Sequence, residues 1–421
     1  MKKKLVILLV VLMLAAAQLF AYTYPAFYNP GTSFRPISAR TEGMGGAGLA
    51  SASGADAFFV NPANLASRKF SLYLPAVGVT VYNPKAIIDS GMIEDIQNNS
   101  DSETFAATMV SKYMGIITAG RGEVVTTDVA TSFTGGGFGL GLQVQEQLHT
   151  YSTDGQMTSD KLIAEVNAAA TVGLGFRLDF IPDILSVDLG ASARFTYKAY
   201  SDRIGANEII NLMNSDDPAQ KFMAEQPIAA GWAVPIDVGV NVNLPIGFRV
   251  SAVAKDLNGK YTMNTYSRSG DWLNEMAEMA GAEGFYAPAP TDPASVITPL
   301  EYTVPWTLDL GLGWVPSLGG FGKVLRPSFS FDLVDVVKLM EEMETDEDAY
   351  LNHIKLGAEV KLLSMVDVRA GLNKGYISLG VGVDLLVIHV DAAYYWREFG
   401  AEIGDKPIDA LTVRFNLGVD G

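Results

Sequence analysis

The sequence predicts an all-β fold, a transmembrane barrel of the outer-membrane type with about fourteen antiparallel strands. Three observations predict it. The chain is apolar, with 18% charged residues and a mean hydropathy of +0.19, yet past its first residues it has no apolar run long enough for a spanning helix. Its C-terminal third alternates apolar with polar or small residues at a period of two. Long and short connections also alternate along the chain. Only helices and closed barrels satisfy every backbone group in lipid, so an apolar chain without spanning helices reads as a barrel.

The N-terminus opens with Lys2, Lys3 and Lys4, an apolar run from Leu5 to Leu14, and Ala15, Ala16 and Ala17. This fits a cleaved secretory signal peptide over residues 1–21 and therefore an exported protein of the bacterial outer membrane. Residues 22–67 are poor in charge, rich in Gly, Ala and Ser, and carry Pro25, Pro30, Pro36 and Pro62. They suit a compact irregular segment that folds inside a barrel lumen, against polar inward faces. Residues 68–421 form the expected barrel.

Strands are expected near 68–82, 121–134, 136–150, 162–179, 184–200, 230–243, 246–256, 302–315, 325–335, 351–362, 365–372, 376–383, 386–397 and 409–419. In the tenth, Ile354, Leu356, Ala358, Val360 and Leu362 share one face, and His353, Lys355, Gly357, Glu359 and Lys361 the other. Connections after odd strands are long (83–120, 151–161, 201–229, 257–301, 336–350, 398–408), with "NKG" at 373–375 the exception; those after even strands are short. Trp306, Trp314, Tyr197, Tyr394 and Trp396 fall near strand ends, as interface girdles do. A soluble β-sandwich, the alternative, would have shorter strands and would disperse these aromatics in a core.

Several long connections carry helical patterning, including "IIDSGMIEDIQ", "DSETFAATMVSKYMG", "NEIINLMN", "SGDWLNEMAEMAG" and "VDVVKLMEEM". Trp272, Met276 and Met279 share a face of the fourth. They suit an external groove for apolar ligands, or equally packing against the barrel rim.

Composition removes whole function classes. A formal net charge of -17 with no basic stripe argues against nucleic acid. The absence of cysteine excludes disulfides and thiolate chemistry. His149, His353 and His389 are scattered and show no metal spacing, the acidic run Glu341–Asp348 lacks the order of a calcium loop, and "GMGGAG" lacks the strand before and helix after that a phosphate loop needs. No catalytic residues, metal or other cofactor are expected. Arg194, Arg369, Arg397 and Arg414 alternate into the expected lumen, where a guanidinium suits a carboxylate ligand. The plainer expectation pairs them with Asp188, Asp367, Asp384 or Asp391 on neighbouring strands.

One stretch carries a family resemblance. Gly43-Met44-Gly45-Gly46-Ala47, alternating Ala and Ser, Asp56, and Asn61-Pro62-Ala63 resemble the N-terminal signature of the FadL/TodX outer-membrane transporters for long-chain fatty acids and other hydrophobic compounds, including FadL-like paralogues of spirochaetes. PorV-type and TraF-type exported proteins open similarly. The resemblance implies a fourteen-stranded barrel, an N-terminal hatch plugging the lumen, and a hydrophobic, fatty-acid-like ligand moved passively without enzymatic chemistry. Gly43, Gly45, Gly46, Asp56, Asn61, Pro62 and Ala63 become the expected hatch residues, and Arg194, Arg369, Arg414, Trp272, Met276 and Met279 the expected ligand contacts. The other partners are outer-membrane lipid and the barrel-assembly machinery, which would have to read Phe415 internally because the chain ends "VRFNLGVDG". The PorV/TraF resemblance implies instead a structural role holding a protein partner for assembly or secretion.

Overall fold

A computed structural model describes residues 34–54, 57–98, 105–116, 120–152, 161–182, 184–284, 286–287, 296–400 and 403–420. The expected signal peptide and Asp56 lie outside them.

Seventeen strand segments form one antiparallel sheet, in which three strands are each interrupted once, so the barrel has fourteen strands. They are β1 (Ser71–Tyr82), β2 (Gly120–Gly135), β3 (Phe138–Ser152), β4 (Lys161–Ile181), β5 (Leu185–Gly205), β6 (Ile228–Ala233 and Ile236–Asn243) and β7 (Phe248–Leu257 and Lys260–Tyr266). The second half is β8 (Ile297–Thr303 and Thr307–Trp314), β9 (Leu325–Leu333), β10 (Ile354–Leu362), β11 (Val366–Asn373), β12 (Tyr376–Leu385), β13 (Ile388–Glu398) and β14 (Pro407–Asp420). Each strand pairs with its sequence neighbours, and β1 pairs with β14 to close the ring. Thr80 and Thr412 sit opposite each other in that seam, their hydroxyls 2.7 Å apart. Closure leaves no open edge, which is what lipid demands of a sheet.

The wall is inverted relative to a soluble protein. Along β12, Ile377, Leu379, Val381 and Val383 are exposed on the outside, with Leu379 at 57%, while Ser378 is buried on the inside. Polar and charged residues from many strands, among them Asp128, Gln145, Asn167, Arg194, Lys255 and Arg369, are buried within. Outward aromatics collect near the short connections, where Phe248, Trp314 and Phe329 stack at 5.5 Å spacings across β7, β8 and β9. Near the long connections Phe195 stacks on Trp232 and Tyr394 meets Trp396 edge-on. An apolar belt between two aromatic girdles is the surface of an outer-membrane barrel.

Two expectations need correction. The span 257–301 is not all loop, because 260–266 and 297–303 extend β7 and β8. Nor is β8 continuous. Pro305 has no N–H for the ladder, and across it the inward position shifts from Tyr302 and Val304 to Asp309 and Gly311. The breaks in β6, β7 and β8 touch one another: Asn258 Nδ2 donates to the Val234 carbonyl and Val304 N–H to the Gly259 carbonyl.

The patterned connections are helical as expected. Within the barrel lie α1 (Ala39–Gly43), α2 (Ala57–Val60) and a 3-10 turn (Pro62–Ser67). The long connections carry α3 (Pro84–Asp89), α4 (Met92–Asn98), α5 (Phe105–Met114), α6 (Ala206–Met213), α7 (Pro218–Glu225), α8 (Ser269–Met279) and α9 (Val336–Glu342). The sequence reading passed over α7, although Asp217 before Pro218 is a start signal: its carboxylate accepts from Gln220 N–H at 3.0 Å.

Candidate functional site

The first described residues, 34–54 and 57–67, lie against the inward side of the wall, and inward glycines make room for them. A side-chain carbon at Gly190 would collide with the backbone of Pro62 and Ala63, one at Gly239 with Asn61, and one at Gly371 with Met44 and Gly45. At Gly357 it would stand 2.7 Å from the Met44 carbonyl oxygen. These strand glycines let one backbone rest directly on another.

The segment's own glycines set its turns. Helix α1 starts at Ser38, whose hydroxyl accepts from Thr41 N–H, and ends with Gly45 at φ +68° and Gly46 at φ +78°. Gly46 N–H donates to the Thr41 carbonyl and Gly45 N–H to the Glu42 carbonyl, the paired bonds of a Schellman ending. Gly43 meets Gly380 backbone to backbone.

Farther along, Asn61 is fully buried. Its Oδ1 accepts from Ala63 N–H at 3.0 Å, and its Nδ2 donates to the Leu49 carbonyl at 3.1 Å and to Asn241 Oδ1 of β6 at 2.7 Å. Pro62 opens the 3-10 turn, where its missing N–H costs nothing. Ion pairs tie the other end to the wall, Arg40 to Glu359 at 2.8 Å and Arg397 to Glu42 at 2.8 Å.

A cavity of about 450 Å³ lies between this segment and the wall, toward the long connections. Its lining mixes Phe34, Ile37, Phe59 and Val60 of the segment with strand residues such as Gln145, Lys255 and Lys355. Asp335, at the mouth of α9, also lines it; burial pushes its carboxyl above the usual carboxylate range.

The expected ligand-contacting residues are elsewhere. Arg194, 2% exposed, holds Asp237 and Asp256, beside the breaks in β6 and β7, and donates to the Phe34 carbonyl at 3.1 Å. Arg369, 3% exposed, holds Glu359, Asp367 and Asp391. Arg414 Nε donates to Asn416 at 2.9 Å, and its Nη1 stands 3.9 Å from Asp128. None of the three lines the cavity. Trp272 packs against the cluster of Ala199, Ile228, Ala230 and Tyr266 and donates to the Tyr197 hydroxyl at 2.8 Å. Met276 is half-buried on the same helix, and Met279 is 74% exposed.

The sequence reading missed Arg35 and Lys355, which do face the cavity. The period-two pattern put Lys355 on the inward side of β10, but no spacing linked it to Arg35, 320 residues away in sequence.

No protein-family model and no curated protein matches the sequence. Among solved structures, the chain is similar to the Pseudomonas putida toluene transporter TodX, with 11% identity over 93% of this chain and 99% of that one and a TM-score of 0.44. It is also similar to a Pseudomonas aeruginosa FadL homologue (11% identity, 92% and 98% coverage, TM-score 0.40). The translocator domain of the Neisseria meningitidis autotransporter NalP follows at 11% identity, 83% and 88% coverage and a TM-score of 0.32. What the chain does is read from its own lumen.

Proposed function

We propose that the protein is an outer-membrane barrel for passive uptake of hydrophobic small molecules of the fatty-acid kind, with residues 22–67 as the hatch that gates its lumen. The observation that carries this reading is the cavity between hatch and wall. Its volume of about 450 Å³ is that of a small-molecule site, and it offers apolar side chains on the hatch and charged ones on the wall. An amphipathic ligand matches both. The hatch forms one side of the cavity, so release inward requires hatch movement, and the contacts at Asn61, Arg40 and Glu42 set its cost.

The test is binding of labelled oleate and of a polar control to the detergent-extracted full chain, with and without Asn61→Ala plus Pro62→Ala. Saturable oleate binding altered by the double substitution is expected. A well-folded barrel that binds no oleate would sink the reading. It would favour a structural or assembly role of the PorV/TraF kind, to which the dense bonding of the hatch is also suited.

A further inference from the structure

We propose that helix α8 is an interfacial anchor, which lies on the outer face of the wall and sets its apolar edge, Trp272, Met276 and Met279, into the membrane leaflet on the side of the long connections; this rests on the barrel alone and not on the uptake reading. The outward residues of β5, β6 and β7 locate the helix. Phe195 and Trp232 are 51% and 46% exposed, yet the next outward positions toward the long connections, Ala199, Ala230, Ile228 and Tyr266, are buried. The inward residues of the same stretch, Tyr200, Tyr261 and Met263, belong to a separate cluster inside the lumen. The cover over Ala199 and Ala230 is therefore on the outside, and Trp272 with Tyr197 packs on them.

Two hydrogen bonds fix the helix there. Trp272 Nε1 donates to the Tyr197 hydroxyl at 2.8 Å, and the Tyr266 hydroxyl donates to Glu275. The small pair Ala199 and Ala230, opposite each other in the ladder, leaves room for the indole. Neighbouring residues set the height. Phe195 and Trp232 stack at 6.0 Å in the aromatic girdle directly below. Beside Trp232 the outward face turns polar: Thr262 pairs with Trp232 and Glu301 with Thr262, and the exposed Glu301 meets Lys260 at 2.8 Å. Hydrocarbon ends at this level, so a helix just above it on the outer face lies among headgroups.

Lipid is the occupant that this position selects. Trp272, Met276 and Met279 follow one another at helical spacing along one face, and Asp271 and Glu278 lie off it. Trp272 and Met276 are half-buried, whereas Met279 is 74% exposed. An apolar edge continuous with the lipid-facing belt leaves water for the same lipid, and the flexible methionine side chain fits disordered acyl chains. The polar residues of α8 are acidic, with no basic stripe, so the contact is apolar and needs no anionic headgroup.

The experiment uses the absence of cysteine from the chain: Met279→Cys and, off the apolar face, Glu278→Cys each give a single site for a nitroxide label. With the full-length barrel in phosphatidylcholine vesicles, the label's accessibility to oxygen, which concentrates among acyl chains, is compared with its accessibility to a water-soluble nickel chelate. The label at 279 is expected about 5–10 Å into the headgroup and acyl boundary, and the label at 278 in water. Adding Trp272→Ala should move the label at 279 into water, and Tyr197→Phe, which removes one hydrogen bond, should move it part of the way; heat-modifiable mobility checks the folding of each. A label at 279 as open to nickel as the one at 278 would overturn the proposal. So would a label that leaves water only when oleate is added, which would assign the edge to ligand capture. Neither result would touch the uptake reading, which oleate binding tests separately.

Discussion

Asn61→Ala should loosen the segment it pins inside the barrel, the proposed hatch, and leave the barrel standing. The buried side chain makes three hydrogen bonds, but their loss is unequal. The Leu49 carbonyl keeps its bond from Asn64 Nδ2 at 3.2 Å, and Asn241 Oδ1 keeps the Ser251 hydroxyl at 2.6 Å. Ala63 N–H keeps no other described acceptor. Losing the cap leaves Ala63 N–H a buried orphan donor, at a cost of about 1–3 kcal/mol. That cost falls on the docking of residues 57–67, because the strand ladder does not pass through Asn61. Hydrogen exchange by mass spectrometry reads this directly: protection of peptides in that segment should drop by about 5- to 150-fold while β9–β14 keep theirs. Unchanged protection in the hatch, or equal loss across hatch and strands, would refute the view that this residue holds the hatch separately from the wall.

Other perturbations separate the remaining contributions. Arg369→Met leaves Glu359 with Arg40 and Asp367 with Lys361 but strips Asp391, so a loss of about 3 kcal/mol is expected as a lower temperature of heat-modified electrophoretic mobility. Leu379→Arg places a charge in the outer apolar belt and should cost about 2–4 kcal/mol in lipid refolding, whereas the inward neighbour Gly380 opposes Gly43 and reports on the hatch instead. In the loop helix α9, hydrogen bonding to Lys338, joined by His353, holds the Glu342 carboxyl below its ordinary 4.5. Its folded pKa being depressed, the stabilisation is present above that value and is lost as pH falls through the folded one. Exchange protection of 336–353 should fall on acidification below 4.5, and Glu342→Gln should abolish that dependence.

The barrel was legible because burial in lipid and burial in the lumen write opposite chemistries on alternate residues. The stretches "HIKLGAEVKL" and "VDVRAGLN" show this, and β10 and β11 lie where the alternation puts them. Strand interruptions were less visible. "KYTMNTY" and "ITPLEYT" follow a turn-like Asn-Gly or contain a proline, so each reads locally as loop; pairing across the wall makes them strands. The cavity was less legible still. An inward cation looks the same in sequence whether it is held by carboxylates of neighbouring strands, as Arg369 is, or makes no ion pair among the described residues although a carboxylate, Asp332, stands opposite it, as for Lys355, because side-chain reach and the other residues sharing the lumen decide the outcome.

The long reach of the contacts made by the segment inside the barrel bears on biogenesis. Arg40 meets Glu359 across 319 residues of chain, and the backbone of that segment rests on glycines of β5, β6, β10, β11 and β12. That seat is incomplete until those strands share one lumen. Residues that leave the ribosome ahead of every strand of the wall are therefore among the last to reach their final contacts, and protease resistance acquired by this segment would time-stamp completion of the ring.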